Sequence, residues 1–215
     1  MPSPLPPLSI AFAFAGLVLG LAADRLATHW PEHDEEHPPG RPVDWRTWLT
    51  AATGAVSLGL VPQRFGTDPV ALGLFSLWVA VLIGGLATDL DQRLLPDALT
   101  LPVIPVALLY AASGLNPLVG GAILPAIAAA IVIPAVLYLP SIPFGAGAFG
   151  LGDVKLLIGV GLVLGLGRAV NGVVVGLLVA GAVLAVLLVA RRIGRRSYVP
   201  FGPFLILGSL WGFLR

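Results

Sequence analysis

No cysteine occurs in the 215 residues of the chain. That absence excludes a disulfide framework, a thiol nucleophile and any metal held by cysteine. Charge is also scarce, at 11% of residues, where soluble domains carry roughly a quarter. The net charge of +1 offers no basic field to draw in a nucleic acid. No stretch alternates polar and apolar residues in the way a membrane β-barrel requires, and no internal repeat is evident. The first apolar segment, "LSIAFAFAGLVLGLAA", has no basic residue ahead of it, so it reads as a retained helix and not as a cleaved signal.

What fills the chain is apolar: 57% of residues are hydrophobic and the mean hydropathy is +0.96. A shortage of charge over the whole length points to an all-α fold, a polytopic membrane helical bundle. Crossing a bilayer takes about 20 apolar residues. About eight windows qualify on that criterion, at residues 8–23, 47–62, 69–88, 98–113, 117–139, 154–167, 171–190 and 201–214. Gly, Ala and Val recur within them, which lets helices approach closely in lipid. The connecting loops then alternate between two sides. One side holds Arg25, Arg41, Arg46, Arg93, Lys155, Arg191, Arg192, Arg195 and Arg196, and the other holds Arg64, Arg168 and Arg215. Cytoplasmic loops carry the excess of Lys and Arg, so the odd-numbered loops are expected in the cytoplasm and the N-terminus outside.

Two acids stand out in that arrangement. Asp89 closes the third segment, within "GGLATDLDQRLLPDALTLP", and Asp153 opens the sixth, within "GAFGLGDVKLLIGVGL". They are distant in sequence, yet the alternation puts both at the cytoplasmic end of their helices. Charged helix ends commonly mark nothing more than the water interface, since only acids deep in a bilayer default to function. Asp153, however, follows Gly150 and Gly152, which remove bulk and admit another backbone, and it precedes Lys155, the only lysine. Two close carboxylates cannot both ionise easily, so one stays basic while its neighbour keeps a proton. Such a pair can activate water against a carbonyl without cysteine, metal or a serine triad. Helix polarity favours charge on Asp153 at a helix N-terminus, with Lys155 adding to it, and disfavours charge on Asp89 at a C-terminus; Asp153 is then the base and Asp89 the acid. The alternative is a proton-coupled membrane transporter using the two Asp as a relay, which would bring acids nearer the midplane and often shows inverted repeats.

These residues carry a resemblance. "TDLDQRLLPDALTLP" resembles the first signature of the type IV prepilin peptidases, and "GLGDVKLL" their second, the GxGD motif of membrane aspartyl proteases. "VPFGPFLILG", residues 199–208, resembles the family's C-terminal Pro-Phe-Gly-Pro segment. The likeness covers about residues 70–215. It implies two regions: residues 1–68, two helices with a short acidic cytoplasmic loop at 24–46, and residues 69–215, a six-helix membrane aspartyl protease domain. It further implies an endopeptidase that removes the basic leader of type IV prepilins or pseudopilins after a glycine, at the cytoplasmic face of the bacterial inner membrane. Asp89 and Asp153 fall on the catalytic positions. Asp97 takes a supporting role with Gly150, Gly152 and Lys155, and Asp91 matches no essential position and is expected in solvent. Proteolysis needs no cofactor, and S-adenosylmethionine would enter only with the methyltransferase activity found in many members. The paired CxxC zinc loop of those members is missing here.

In its place stands "THWPEHDEEHPPGRP". His29, His33 and His37 recur every fourth residue, a spacing that could align metal ligands on a helix, but Pro31, Pro38 and Pro39 interrupt one. A solvated acidic loop without metal is expected. Glu32, Asp34, Glu35 and Glu36 are its candidates for attracting a basic leader. "RRIGRR", residues 191–196, is expected to anchor topology against anionic lipid, and the glycine-rich stretch at 145–152 is a candidate gate.

Overall fold

The computed structural model describes residues 6–35, 37–144, 149–192 and 201–215. All regular structure among them is helical: α1 (Pro6–Ala27), α2 (Trp45–Phe65), α3 (Pro69–Gln92), the single turn α4 (Asp97–Thr100), α5 (Val103–Ala112), α6 (Ile123–Tyr138), α7 (Leu151–Val189) and α8 (Gly202–Leu214). A 3-10 stretch at 139–144 extends α6. The fold is thus all-helical and multi-pass, but its helices do not match the eight expected segments one for one. Pro7–Ala27, Pro69–Gln92, Ile123–Pro143 and Leu151–Val189 are long and apolar enough to cross a membrane by length and composition. The fourth expected segment splits into α4 and α5 at Pro102, and the sixth and seventh are joined in α7. Part of the C-terminal basic run and of the glycine-rich stretch, at 193–196 and 145–148, lies outside the described residues.

Local chemistry explains where the helices begin and end. Asp44 caps α2, accepting from the Arg46 N–H, while Thr47 reaches back to the Asp44 N–H, a reciprocal box that satisfies two orphan donors. Asp68 caps α3 through the N–H groups of Val70 and Ala71, with Pro69 in the first turn where its missing N–H does no harm. α3 stops where Arg93 turns left-handed at φ 56° and donates to the Asp89 carbonyl. Ile10, Phe14 and Val18 are exposed along α1, an i, i+4, i+8 stripe facing lipid. Trp45 and Trp48 are exposed at the start of α2, where membrane-interface aromatics belong.

α7 contains one break. Gly165 takes φ 70°, ψ 173°, a conformation that a side chain disfavours. A straight helix would separate Asp153 from Gly176 by roughly 35 Å. Both lie instead by the first turns of α8, Asp153 through Asp89 and Gly202, and Gly176 through Phe204. Arg168, three residues past the break, packs on Gly212 at the far end of α8. The chain therefore doubles back at Gly165, and α7 is two helices that run in opposite directions. Asn116, fully buried, steadies the corner by donating to the Val163 carbonyl at 2.9 Å.

The returning half of α7 meets α8 across a seam of glycines. A Cβ on Gly172 would lie 2.5 Å from the Gly208 carbonyl oxygen, whereas one on Gly181 would meet nothing within 4 Å. Gly172→Ala is therefore expected to destabilise the bundle by about 1–3 kcal/mol, the usual range for overpacking, and Gly181→Ala to leave it unchanged. Thermal unfolding of the two variants in one detergent compares them; equal midpoints would contradict the seam.

Candidate active site

The last turn of α3 is the meeting point of the acids. Asp89 is 5% exposed, and its Oδ2 is buried without a hydrogen-bond partner. α8 begins directly against it: a Cβ on Gly202 would fall 2.5 Å from Asp89 Oδ2 and 2.7 Å from Cγ. Only glycine fits there, which gives the glycine of the "PFGP" run a concrete role as the surface that seats the Asp89 carboxylate. Asp153 stands in the first turn of α7, where its carboxylate folds back over the helix start: a Cβ on Gly150 would lie 3.3 Å from Asp153 Oδ2. The charges of Asp153 and Arg93 both reach Asp89, so the two carboxylates expected to meet are neighbours.

The remaining parts of the two signatures interlock. A Cβ on Gly152 would come within 2.9 Å of Leu95 Cβ and 3.2 Å of the Leu95 carbonyl. The "LLPD" stretch therefore crosses α7 at the one residue that leaves room for it. Leu95 also presses on Gly85 of α3 and is buried. Asp97 opens α4 and takes an ion pair from Lys155 Nζ at 2.5 Å. Lys155 was expected to strengthen the field on Asp153; its charge goes to Asp97 instead, because the α4 turn brings that carboxylate across to α7.

Asp91 departs most from expectation. It is 7% exposed and not in solvent. Arg41 Nε donates to its Oδ1 at 2.6 Å, His33 Nε2 lies 3.4 Å from its Oδ2, and Arg46 Nη1 is 3.8 Å away. Arg41 also pairs with Asp24 at 2.6 Å and Asp44 at 2.5 Å. Asp24, fully buried, takes further bonds from Arg25 and from Thr47 Oγ1. Burial works against the Asp44 carboxylate, but the Arg46 N–H and the Arg41 guanidinium outweigh it and hold Asp44 below the usual carboxylate range. Burial likewise opposes the charge on Arg41, and its contacts with Asp91 and Asp24 raise it above its ordinary value. The loop at 28–44 is thus docked and not freely solvated. His33 faces Asp91 and Gln92, while His29 and His37 make local bonds. Among the described residues no group of three His, Cys, Asp or Glu could hold a metal. Glu32 and Glu35 are exposed, as is Asp34, which bonds to His37; Glu36 lies outside the described residues.

The geometry offers one buried carboxylate with an unpartnered oxygen, Asp89, and one partly exposed carboxylate, Asp153, at the ends of three helices. Comparison with known proteins gives the family. A sequence model of the type IV leader peptidase family matches residues 70–190. A protein of Burkholderia pseudomallei (strain 1026b) named prepilin leader peptidase/N-methyltransferase is 38% identical over 75% of this chain and 52% of its own length. One of Aeromonas salmonicida (strain A449) with the same name is 32% identical over 76% and 56%. One of Neisseria gonorrhoeae is 29% identical over 72% and 52%. The chain spans about half the length of the curated relatives it matches. No solved structure matches it.

The packing of the two signatures can be tested directly, because the chain has no native cysteine. Disulfides need Cβ atoms about 3.5–4.5 Å apart, which a small backbone shift at Gly152 and Leu95 provides. Leu95→Cys combined with Gly152→Cys is expected to cross-link under mild oxidation, giving a linked peptide by mass spectrometry. Failure to form it would separate the two elements.

Proposed function

The chain belongs to the type IV leader peptidase family, and from that membership we propose that it is a membrane aspartyl endopeptidase acting on type IV prepilins or pseudopilins. It removes their basic leader after a glycine at the cytoplasmic face of the inner membrane. The observation that carries this reading is the buried Asp89 carboxylate, unpartnered at Oδ2, within reach of the charge of Asp153. Asp153 draws a proton from water, the water oxygen adds to the peptide carbonyl, and Asp89 gives its proton to the carbonyl oxygen. Collapse of the tetrahedral intermediate breaks the C–N bond: the proton on Asp153 passes to the leaving amine, and Asp89 takes back a proton from the gem-diol hydroxyl as the C=O re-forms. Asp153 serves as the base from the first turn of α7, where the positive end of the helix favours a charged carboxylate. Asp97, Gly150, Gly152 and Lys155 support the pair from around it. The family match leaves the transporter reading without support.

The relatives' printed name also includes N-methyltransferase, which implies S-adenosylmethionine. No Asp or Glu lines the cavity between α3 and α5, the one between α2 and α8, or the two beside Gly167, and ribose hydroxyls are commonly held by such a residue. These cavities do not fit an adenosyl donor, and no methyl-transfer step follows from them.

Co-expression with a prepilin precursor is expected to yield leader-free product, with Asp89→Ala and Asp153→Ala each abolishing it on an immunoblot. Retained cleavage by either variant would remove the dyad. The exposed acids of the docked loop supply the attraction for a basic leader. Reversing the charges of Glu32, Asp34, Glu35 and Glu36 together is expected to raise KM at low salt and to lose that effect near 1 M salt, where the Debye length falls to about 3 Å. A salt-independent KM would sink the steering role.

A further inference from the structure

The buried ion cluster around Arg41 has a use that the dyad chemistry does not account for. On a helix, residues two apart point roughly 200° away from each other. Asp89 and Asp91 therefore face opposite ways from the last turn of α3, the first toward α8 and the second toward the loop at 28–44. That turn is gripped on its outer side by side chains alone. Arg41 and His33 hold Asp91, and Gln92 Nε2 donates to the Ala27 carbonyl at 3.0 Å. Arg41 is the hub, because its guanidinium reaches Asp24 of α1, Asp44 at the cap of α2 and Asp91 of α3 through three different nitrogens. On its inner side the turn has far less to fix it, since Asp89 meets Gly202 and its Oδ2 has no partner. Rotation of the turn about the helix axis is thus set from the outside.

We propose that Arg41 is a positioning residue for Asp89, acting through Asp91. The inference rests on the protease reading of the dyad. The hub needs a planar fork with directed donors, which an ammonium of equal charge does not supply. Arg41→Lys and Asp91→Asn should therefore lower kcat on a prepilin precursor toward the roughly 100-fold loss that a misplacement of about 1 Å produces. KM should stay unchanged, because both side chains are engaged within the ion cluster, and Asp91→Glu should restore part of kcat by returning the carboxylate.

The test uses the full chain in nanodiscs, with thermal midpoint, kcat and KM measured on the same samples, and amide exchange over residues 86–93 read without substrate. Faster exchange in that turn with a lowered kcat and constant KM is the expected result. Wild-type kcat in folded Asp91→Asn and Arg41→Lys overturns the proposal. A raised KM with normal kcat also overturns it, and limits Arg41 to holding the loop's acids in place for the leader. Failure of all three variants to fold assigns Arg41 a structural role only and overturns it as well. If the wild type cuts no prepilin, the protease reading fails, while the exchange measurement still decides on the hub: unchanged protection at 86–93 in the variants refutes it.

Discussion

Taking a carboxylate out of water into an apolar bundle carries a penalty on the order of several kcal/mol unless other groups replace the solvent. This chain buries three close together: Asp24, Asp89 and Asp91. Two of them are compensated in full. Asp24 and Asp91 share the guanidinium of Arg41, and Asp24 is further bonded to Arg25 and Thr47. Asp89 is not, since its Oδ2 has no partner. An acid left short of donors beside a second acid is poorly placed for stability and well placed for exchanging a proton. The fold spends its buried cations on the side of α3 away from the dyad. The guanidinium cluster thereby stabilises the helix end without neutralising the reactive pair.

Close approach is the other requirement, and small residues meet it. Gly202 lets α8 start against Asp89, Gly152 lets Leu95 cross α7, and the Gly172–Gly208 seam brings the returning half of α7 against α8. In lipid the hydrophobic effect does not drive helices together, so contact area and backbone proximity carry more of the association. The same seam fixes the level of Gly202 relative to α7, and so the distance between a dyad residue and the helix that seats it. Packing and chemistry depend on the same small residues.

Much of this was legible in the residues. The apolar windows, and the placing of Asp89 and Asp153 at the same end of the bundle, follow from hydropathy and the alternation of loops. What escaped was decided by partners far away in sequence. Asp91 reads as a loop acid because nothing near it pairs with it; Arg41 and His33 reach it across 50 and 58 positions. Lys155 looked like a helper to Asp153 because the turn that carries Asp97 to it has no periodic signature. The reversal at Gly165 is one glycine among 27, and its φ of 70° occurs where α7 faces Leu118 and Val119, more than 40 positions away. The buried rank of Arg41 left one trace, an arginine inside a proline-rich stretch with acids at Asp24 and Asp44 on either side.

Helix polarity alone does not separate the roles of the two acids. Asp153 lies at the amino end of α7, as its sequence position implied, and Asp89 lies at the carboxyl end of α3. Yet α8 also presents its amino end to Asp89 through Gly202, so both carboxylates feel a positive helix terminus. The distinction rests on burial. Asp153 is partly exposed in the first turn of its helix, whereas Asp89 is sealed against α8. At the start of α8, Pro203 has no N–H and the Phe204 N–H is taken by the Phe201 carbonyl, so that terminus contributes field but few hydrogen bonds. Two carboxylates in such unequal surroundings are the asymmetry that the proposed acid–base pair requires.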